Sequence, residues 1–182
     1  YVMENFYRLQ RVRLGILVEG SKPVSGRWNF DEDNRLPPPK NYVWPPRLTH
    51  TRDEIDLEVA AQLGHQATDL WATTREGALN ALEHFIEHNL AGFGPLEDAS
   101  TNDDWSLHHS LLSPYMNVGL LHAREVVDAA VAAFEKGLAP IQSVEAFVRQ
   151  IIGWREYING MYWFLGENYR EQNQLGAHRK LL

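Results

Sequence analysis

Apolar side chains recur at intervals of three and four residues from about residue 53 onward, and no stretch of this part alternates with a period of two. Such spacing places the apolar side chains on one face of a helix. The predicted apolar stripes are Ile55, Leu57, Val59, Ala60 and Leu63; Leu79, Leu82, Phe85, Ile86 and Leu90; Val126, Val127, Ala130, Val131 and Phe134; and Val144, Phe147, Val148, Ile151 and Ile152. The pattern predicts an all-α helical bundle.

Capping residues and helix breakers set the predicted helix boundaries. The expected starts are Thr73, with Glu76 completing a capping box, and Ser143, and the expected ends are Gly64, the Gly92, Gly94 and Pro95 group, and Gly137 with Pro140. The last helix is expected to be long and to contain Trp154, Arg155 and Glu156.

The first 48 residues differ from the rest. Residues 1–14 interleave apolar and arginine side chains and predict the end of an amphipathic helix, in which Phe6, Leu9 and Val12 are the apolar positions. The apolar run 16–18 is a possible buried strand. Prolines concentrate in residues 21–48, which predicts an irregular connector. Trp28 and Trp44 are expected to anchor this connector by packing on the helices.

Ser113 followed by Pro114 predicts the start of a short helix, with the serine as N-cap and the proline in the first turn. The free N–H groups of a helix start attract anions, and the hydroxyls of Ser110 and Ser113 would add two donors. This arrangement suits a phosphate or diphosphate. A serine that caps the helix and does nothing else is the alternative.

The composition limits the function classes. The chain has 182 residues, 44% of them hydrophobic and 23% charged, as in an ordinary globular protein. No apolar run approaches the roughly 20 residues of a membrane span, and the first residues lack the form of a signal peptide, so we expect a cytoplasmic protein. We also expect it to be a monomer. The net charge of −7 argues against a globally basic nucleic-acid binder. The absence of cysteine excludes disulfides and thiolate metal sites in this chain.

Two blocks of sequence resemble motifs of the photolyase/cryptochrome superfamily. His-Ser-Leu-Leu-Ser-Pro-Tyr-Met-Asn-Val-Gly-Leu-Leu, residues 109–121, is similar to the serine-rich flavin-phosphate motif. Gln-Ile-Ile-Gly-Trp-Arg-Glu-Tyr, residues 150–157, is similar to the Trp-Arg-Glu helix. The two blocks occur in the order of the family and at about its spacing.

Further blocks resemble the bacterial iron–sulfur branch, the deoxyribodipyrimidine photolyase-related proteins that include prokaryotic (6-4) photolyases. They are Gly-Arg-Trp-Asn-Phe-Asp at 26–31, Thr-Arg-Glu-Gly-Ala-Leu at 74–79, Phe-Gly-Pro at 93–95, Glu-Asp-Ala at 97–99 and Leu-Gly-Ala at 175–177. The resemblance extends over essentially the whole chain. It is specific because the blocks occur together.

The resemblance implies a domain organisation. Residues 1–20 would be a remnant of the N-terminal α/β domain, residues 21–48 the interdomain linker, and residues 49–182 the front part of the helical FAD-binding domain. The chain would then be a fragment that lacks most of the α/β domain and the C-terminal part. The cysteines that hold the 4Fe-4S cluster of the family would lie beyond residue 182.

The resemblance also implies site residues. The cofactor-binding set would be His109, Ser110, Leu111, Leu112, Ser113, Gln150 and Arg155, and Trp154 would bind the substrate. An arginine in this place can hold diphosphate or stabilise a reduced flavin, although a helix-face ion pair with Glu156 is the alternative. Gln150 could reach the flavin or the lesion, or could lie on the helix surface. No residue is assigned a catalytic or metal-binding role.

Some residues depart from the family pattern or have ordinary explanations. His109 replaces a threonine of related motifs, and Leu96 replaces a tyrosine that commonly follows Phe-Gly-Pro. The adjacent residues His108 and His109 are not expected to face one site together, because neighbours in sequence point in different directions. Trp163 is expected to pack in the core.

The activity implied by the resemblance is light-driven repair of a pyrimidine lesion in DNA, (6-4) or other, by electron transfer from reduced FAD. The parent protein would be a DNA photolyase-like lyase. A cryptochrome-type blue-light photoreceptor, which uses the same pocket for signalling, is the first alternative. An isolated helical fragment without activity is the second.

Overall fold

The computed structural model describes residues 2–173 and 175–180 and is predominantly helical, which confirms the all-α prediction. The α-helices in chain order are α1 (Met3–Leu14), α2 (Glu54–Gln62), α3 (Arg75–His84), α4 (Leu90–Leu96), α5 (Ser113–Asn117), α6 (Ala123–Glu135), α7 (Ile141–Val148) and α8 (Glu156–Leu165). π-helical segments, Phe85–Asn89 and Arg149–Arg155, join α3 to α4 and α7 to α8. Short 3₁₀ helices span Asp31–Asp33 and Gly166–Glu171.

The first helix is confirmed, but its buried face was predicted wrongly. Leu9 is 72% exposed, whereas Tyr7 and Arg11 are buried. The Arg11 guanidinium donates to the backbone oxygens of Leu17 and Trp28, at 2.5 and 2.7 Å. A buried arginine is tolerated here because backbone oxygens satisfy its donors.

The apolar run after α1 forms a tight hairpin instead of a buried strand. Strand β1 (Val18–Glu19) pairs antiparallel with β2 (Lys22–Pro23). The side chains of Ile16 and Leu17, which precede β1, are nevertheless in the core.

The two tryptophans of the irregular segment 21–48 make the predicted anchoring contacts. The Arg11 guanidinium lies 5.2 Å from the ring centroid of Trp28. Trp44 packs against a small cluster that contains Leu96 and Leu107. These contacts attach an otherwise irregular segment to the helices.

Helix α7 lies at the centre of the molecule, and residues Ser143 to Val148 are all buried. The prediction that Ser143 caps this helix is wrong, because α7 begins at Ile141 and its N-cap is Pro140. Ser143 instead contacts α4: its hydroxyl donates to the Ala91 oxygen at 2.8 Å and accepts from the Gly94 N–H at 3.1 Å.

This contact explains why Gly92, Gly94 and Pro95 do not end the preceding helix, contrary to the prediction. In an α-helix the Ala91 oxygen would accept from the N–H of residue 95, but Pro95 has none. The Ser143 hydroxyl supplies the missing donor. The helix therefore continues through Pro95 to Leu96.

Three other predictions of burial or capping are wrong. The apolar side of α2 faces solvent, since Ile55 is 70% and Leu63 is 67% exposed. Helix α3 is capped by Thr74 and not by Thr73, with the Thr74 hydroxyl accepting from Gly77. Trp163 is 75% exposed and is not a core residue.

Among the described helices, none combines the length and apolarity that crossing a membrane requires.

Candidate functional site

A cleft of about 730 Å³ lies between the loop that precedes α5 and the π-helical segment Arg149–Arg155. The predicted residues that line this cleft are His109, Ser110, Leu111, Ser113, Gln150, Trp154 and Arg155. The two sequence blocks therefore converge in space. Leu112 differs from the others because its side chain is fully buried in the hydrophobic core and is not exposed to the cleft.

His108 fixes the loop that carries the serines. The buried His108 ring contacts the Tyr42 hydroxyl through Nε2 at 3.0 Å and the Asn89 oxygen through Nδ1 at 3.1 Å. The carbonyl oxygen can only accept, so Nδ1 carries the proton and Nε2 accepts from Tyr42. The Gly92 backbone passes so close that a Cβ there would lie 2.4 Å from the imidazole. His108 is thus a structural residue.

The backbone on either side of this histidine is left-handed. Leu107 has φ 45° and Leu111 has φ 55°, a region that residues other than glycine rarely adopt. The two positions bend the chain sharply around residues 108–110. Conformations of this kind are often retained at functional sites. The bends bring His109 and Ser110 to the cleft while His108 remains buried.

The serines do not form the predicted cap. Helix α5 begins at Ser113 itself, its N-cap is Leu112, and no side chain caps it. Pro114 therefore occupies the second helical position. The Ser110 hydroxyl accepts from the Leu112 N–H at 3.4 Å, which is a long contact. Both serines line the cleft, where their hydroxyl groups can donate to an anionic group.

The floor of the cleft is aromatic and aliphatic. Phe93 and Phe147 pack edge to face with ring centroids 5.4 Å apart, and Ile151 lies beside them. Trp154 is 43% exposed and packs at 6.3 Å on Tyr157. A planar ring system could be covered by these apolar groups while polar groups at the rim orient it.

The segment that carries Gln150, Trp154 and Arg155 is π-helical. π-Helical turns hold an extra residue and are frequent at functional sites. Gly153 within this segment lies against α1, where a Cβ would be 3.3 Å from Tyr7. The wider turn thus packs on α1 on one side and lines the cleft on the other.

Arg155 retains most of its hydrogen-bonding capacity. Its side chain is 37% exposed and is 3.5 Å from Glu156, a marginal ion pair. It also borders a second cavity of about 490 Å³ whose lining includes Arg13 and His122. The guanidinium is therefore available to an anion.

Comparisons with known proteins indicate the family of the chain. A family model described as deoxyribodipyrimidine photo-lyase-related protein matches residues 1–76. A (6-4) photolyase of Agrobacterium fabrum is 43% identical over 187 aligned residues, which cover 98% of this chain. The chain belongs to the deoxyribodipyrimidine photolyase-related family.

This photolyase-related chain spans 37% of the length of the (6-4) photolyase. A second relative, an uncharacterized protein of Acanthamoeba polyphaga mimivirus, is 37% identical over 70 residues. That alignment covers 38% of this chain and 54% of the viral protein.

A buried charge network that the sequence did not predict lies beside the cleft of the photolyase-related chain. The Arg149 guanidinium contacts Glu97 at 3.1 Å, Asp31 at 3.3 Å and Glu145 at 3.4 Å. Glu145 is fully buried and accepts from the Tyr7 hydroxyl at 3.0 Å. The network therefore joins α1, the irregular segment 21–48, α7 and the residue that follows α4.

Burial and the charges of the network both shift the pKa values of these side chains. Burial raises the pKa of Glu97 and of Glu145, and the neighbouring Arg149 opposes both shifts. Burial works against the charge of Arg149, but Glu145, Glu97 and Asp31 together raise its pKa. One signal in the sequence could have indicated the network, because Glu145 and Arg149 are four residues apart in an otherwise apolar helix.

His109 lies between the cleft and a smaller cavity of about 50 Å³ that residues 45–48 help to line. Its Nε2 atom is buried and has no hydrogen-bond partner among the described residues. In the photolyase-related chain, the loop that precedes α5 therefore carries an unpaired polar atom next to the cleft. Across residues 2–173 and 175–180, no cluster of three or more histidine, aspartate or glutamate side chains is arranged to hold a metal ion.

Proposed function

We propose that this chain is the FAD-binding helical portion of a light-driven DNA photolyase that repairs (6-4) or other pyrimidine lesions. The observation that carries the proposal is the convergence of Ser110, Ser113 and Arg155 on one cleft with Trp154 and Gln150. The volume of about 730 Å³ is within the range of roughly 300–1,000 Å³ typical of small-molecule sites.

The chemistry of the cleft fits a flavin dinucleotide. Ser110, Ser113 and Arg155 are donors suited to a diphosphate, because hydroxyl and guanidinium groups bind phosphate oxygens directly. Phe93 and Phe147 provide an apolar surface suited to the isoalloxazine ring. Bound FAD would supply light-driven electron transfer to the lesion.

The role of the protein groups is to bind and orient. Arg155 and the serines would hold the phosphates, and the apolar floor would exclude water from the ring. Trp154 would stack on a base extruded from damaged DNA, since its ring is partly exposed at the cleft. With a net charge of −7, contact with DNA would depend on a local basic rim.

The proposed domain organisation follows the family. Residues 1–20 would belong to an α/β domain, residues 21–48 would be the interdomain linker, and residues 49–182 would be part of the FAD-binding domain. The coverage of 37% of the (6-4) photolyase supports a longer parent protein. That cytoplasmic parent would hold the 4Fe-4S cluster outside this chain.

Replacement of both cleft serines tests the proposal. Ser110→Ala combined with Ser113→Ala is expected to lower the FAD content of the purified protein, measured by flavin absorbance and fluorescence per chain. The matched control is Ser25→Ala with Ser100→Ala, both on exposed positions. The variants are to be made in the chain and in its parent protein.

Equal flavin content in the cleft variant and the control would contradict the proposed binding site. A colourless preparation of the unaltered chain and parent would contradict flavin binding altogether. Repair of lesion-containing DNA under blue light then separates a photolyase from a photoreceptor that uses the same cleft.

A further inference from the structure

Glu97 and Gln150 form a direct hydrogen bond at the edge of the cleft. The Gln150 Nε2 group donates to Oε2 of Glu97 at 3.1 Å. The other carboxylate oxygen of Glu97, Oε1, accepts from the Arg149 guanidinium, also at 3.1 Å. The Glu97 side chain is only 6% exposed, so both of its oxygens are held by protein groups.

The chemistry of these groups fixes which way the Gln150 amide points. An ionised carboxylate only accepts hydrogen bonds, and the adjacent guanidinium favours the ionised form. The NH₂ group of Gln150 must therefore face Glu97. Its carbonyl oxygen, Oε1, is left over, and no described residue donates to it. Gln150 lines the cleft together with Trp154 and Arg155.

We propose that Glu97 is a positioning residue, which holds the Gln150 amide so that its carbonyl oxygen accepts a hydrogen bond from a ring N–H of the ligand. The proposal deepens the proposed function, on which it rests. The ligand class is a planar heterocycle with an imide N–H, such as the isoalloxazine of FAD. Glu97 does not itself touch the ligand in this arrangement.

The Glu97→Gln variant is predicted to reverse the orientation of the Gln150 amide. Arg149 can only donate, so the new amide would turn its carbonyl oxygen to Arg149 and its NH₂ group to Gln150. Gln150 would then present its carbonyl oxygen to position 97 and its NH₂ group to the cleft. A donor would face the ligand N–H. We expect FAD to bind about tenfold more weakly, because an unpaired polar group is costly.

A double-mutant cycle separates positioning from a general structural effect. FAD affinity is measured by fluorescence titration for the unaltered chain, Glu97→Gln, Gln150→Ala and the double variant. If Glu97 acts through Gln150, its substitution has no further effect once Gln150 is alanine. The proposal would be overturned if the double variant lost FAD affinity by the product of the losses in the two single variants.

The chain offers a matched control and a second variant. Glu58 accepts from Gln62 Nε2 at 3.0 Å on the exposed helix α2, so Glu58→Gln makes the same change in a Glu–Gln pair away from the cleft. It is expected to leave FAD affinity unchanged. Should Glu97→Gln not fold, Glu97→Asp retains the charge beside Arg149 but withdraws the acceptor from Gln150, and weaker binding is expected again.

A readout without flavin keeps the two proposals distinguishable. The side-chain amide signals of Gln150 in a ¹⁵N NMR spectrum are assigned by their loss in Gln150→Ala. We expect them to shift in Glu97→Gln and to stay in place in Glu58→Gln. If the unaltered chain binds no FAD, the proposed function fails, yet this shift still supports the positioning. Unshifted Gln150 signals would overturn it.

Discussion

The hydroxyl of Ser143 accepts a hydrogen bond from the backbone N–H of Gly94 at 3.1 Å, so α4 and α7 are in direct contact at this point. A Cβ atom on Gly94 would lie only 2.8 Å from the Cα of Ser143. The Cα of Ser143 is a backbone atom and cannot rotate away as the end of a side chain can. The contact therefore sets how closely the two helices approach. Phe93 and Phe147, which form the floor of the cleft, lie on these helices.

Substitution of this glycine is expected to destabilise the fold. Gly94→Ala forces the helices apart and should lower the free energy of unfolding by about 1–3 kcal/mol. Gly160 is also helical, but a Cβ there meets no atom within 4 Å. Gly160→Ala should therefore raise the free energy of unfolding by about 0.5–1 kcal/mol. Urea unfolding followed by circular dichroism measures both, and changes of equal sign would contradict the contact.

Loss of the Ser143 hydroxyl is a separate prediction. Ser143→Ala leaves the Ala91 oxygen and the Gly94 N–H without their partner, at a cost of about 1–3 kcal/mol for a buried unpaired group. The midpoint of urea unfolding should fall accordingly. Ser25→Ala, on an exposed position, is the control and should unfold like the unaltered chain. Similar midpoints for the two variants would show that another donor replaces Ser143.

His108 should make the stability of the fold dependent on pH. Burial lowers the pKa of His108 in the folded chain, so the unfolded chain, with a pKa of about 6.5, takes up the proton first. The uncharged His108 therefore contributes its full stabilisation above about pH 6.5. This contribution is lost as the pH falls through the lower pKa of the folded state.

Comparison with His108→Gln isolates this contribution, because glutamine does not titrate. The free energy of unfolding is measured for both proteins between about pH 7 and pH 5. We expect the unaltered chain to lose more stability over this range than the variant. Parallel pH profiles would mean that the folded and unfolded chains protonate His108 alike.

Arg155 should affect ligand binding much more than stability. Arg155→Ala removes a partly exposed guanidinium whose contact with Glu156 is marginal, so the free energy of unfolding should change by less than about 1 kcal/mol. FAD affinity should fall by about tenfold, as expected for loss of a charge-assisted hydrogen bond. Arg8→Ala, which breaks an exposed contact with Glu4 on α1, is the control for both measurements. Unchanged FAD affinity in Arg155→Ala would remove this residue from the proposed site.

The sequence by itself determined the class of fold and the family. Three- and four-residue spacing identified most of the buried positions of α6, because burial of one helix face imposes that period on the sequence. In α7 the spacing identified Val144, Phe147 and Val148, but it could not show that the residues between them are buried as well. The motif blocks identified the photolyase-related family. They did so because a motif shared with a family is a property of the sequence and needs no coordinates.

Only the tertiary structure decided which local signals were overridden. Pro95 does not end its helix because Ser143, from another helix, donates to the oxygen that the proline leaves unpaired. The apolar side of α2 is exposed because none of the other described helices packs extensively against it. A local pattern does not specify such long-range partners.

The same reason applies to the site. Sequence spacing could not place Ser113 and Arg155 on one cleft, nor link Gln150 to Glu97. Both relationships depend on how α4, α5 and the π-helical segment pack, and that packing is a result of burying the whole apolar core at once.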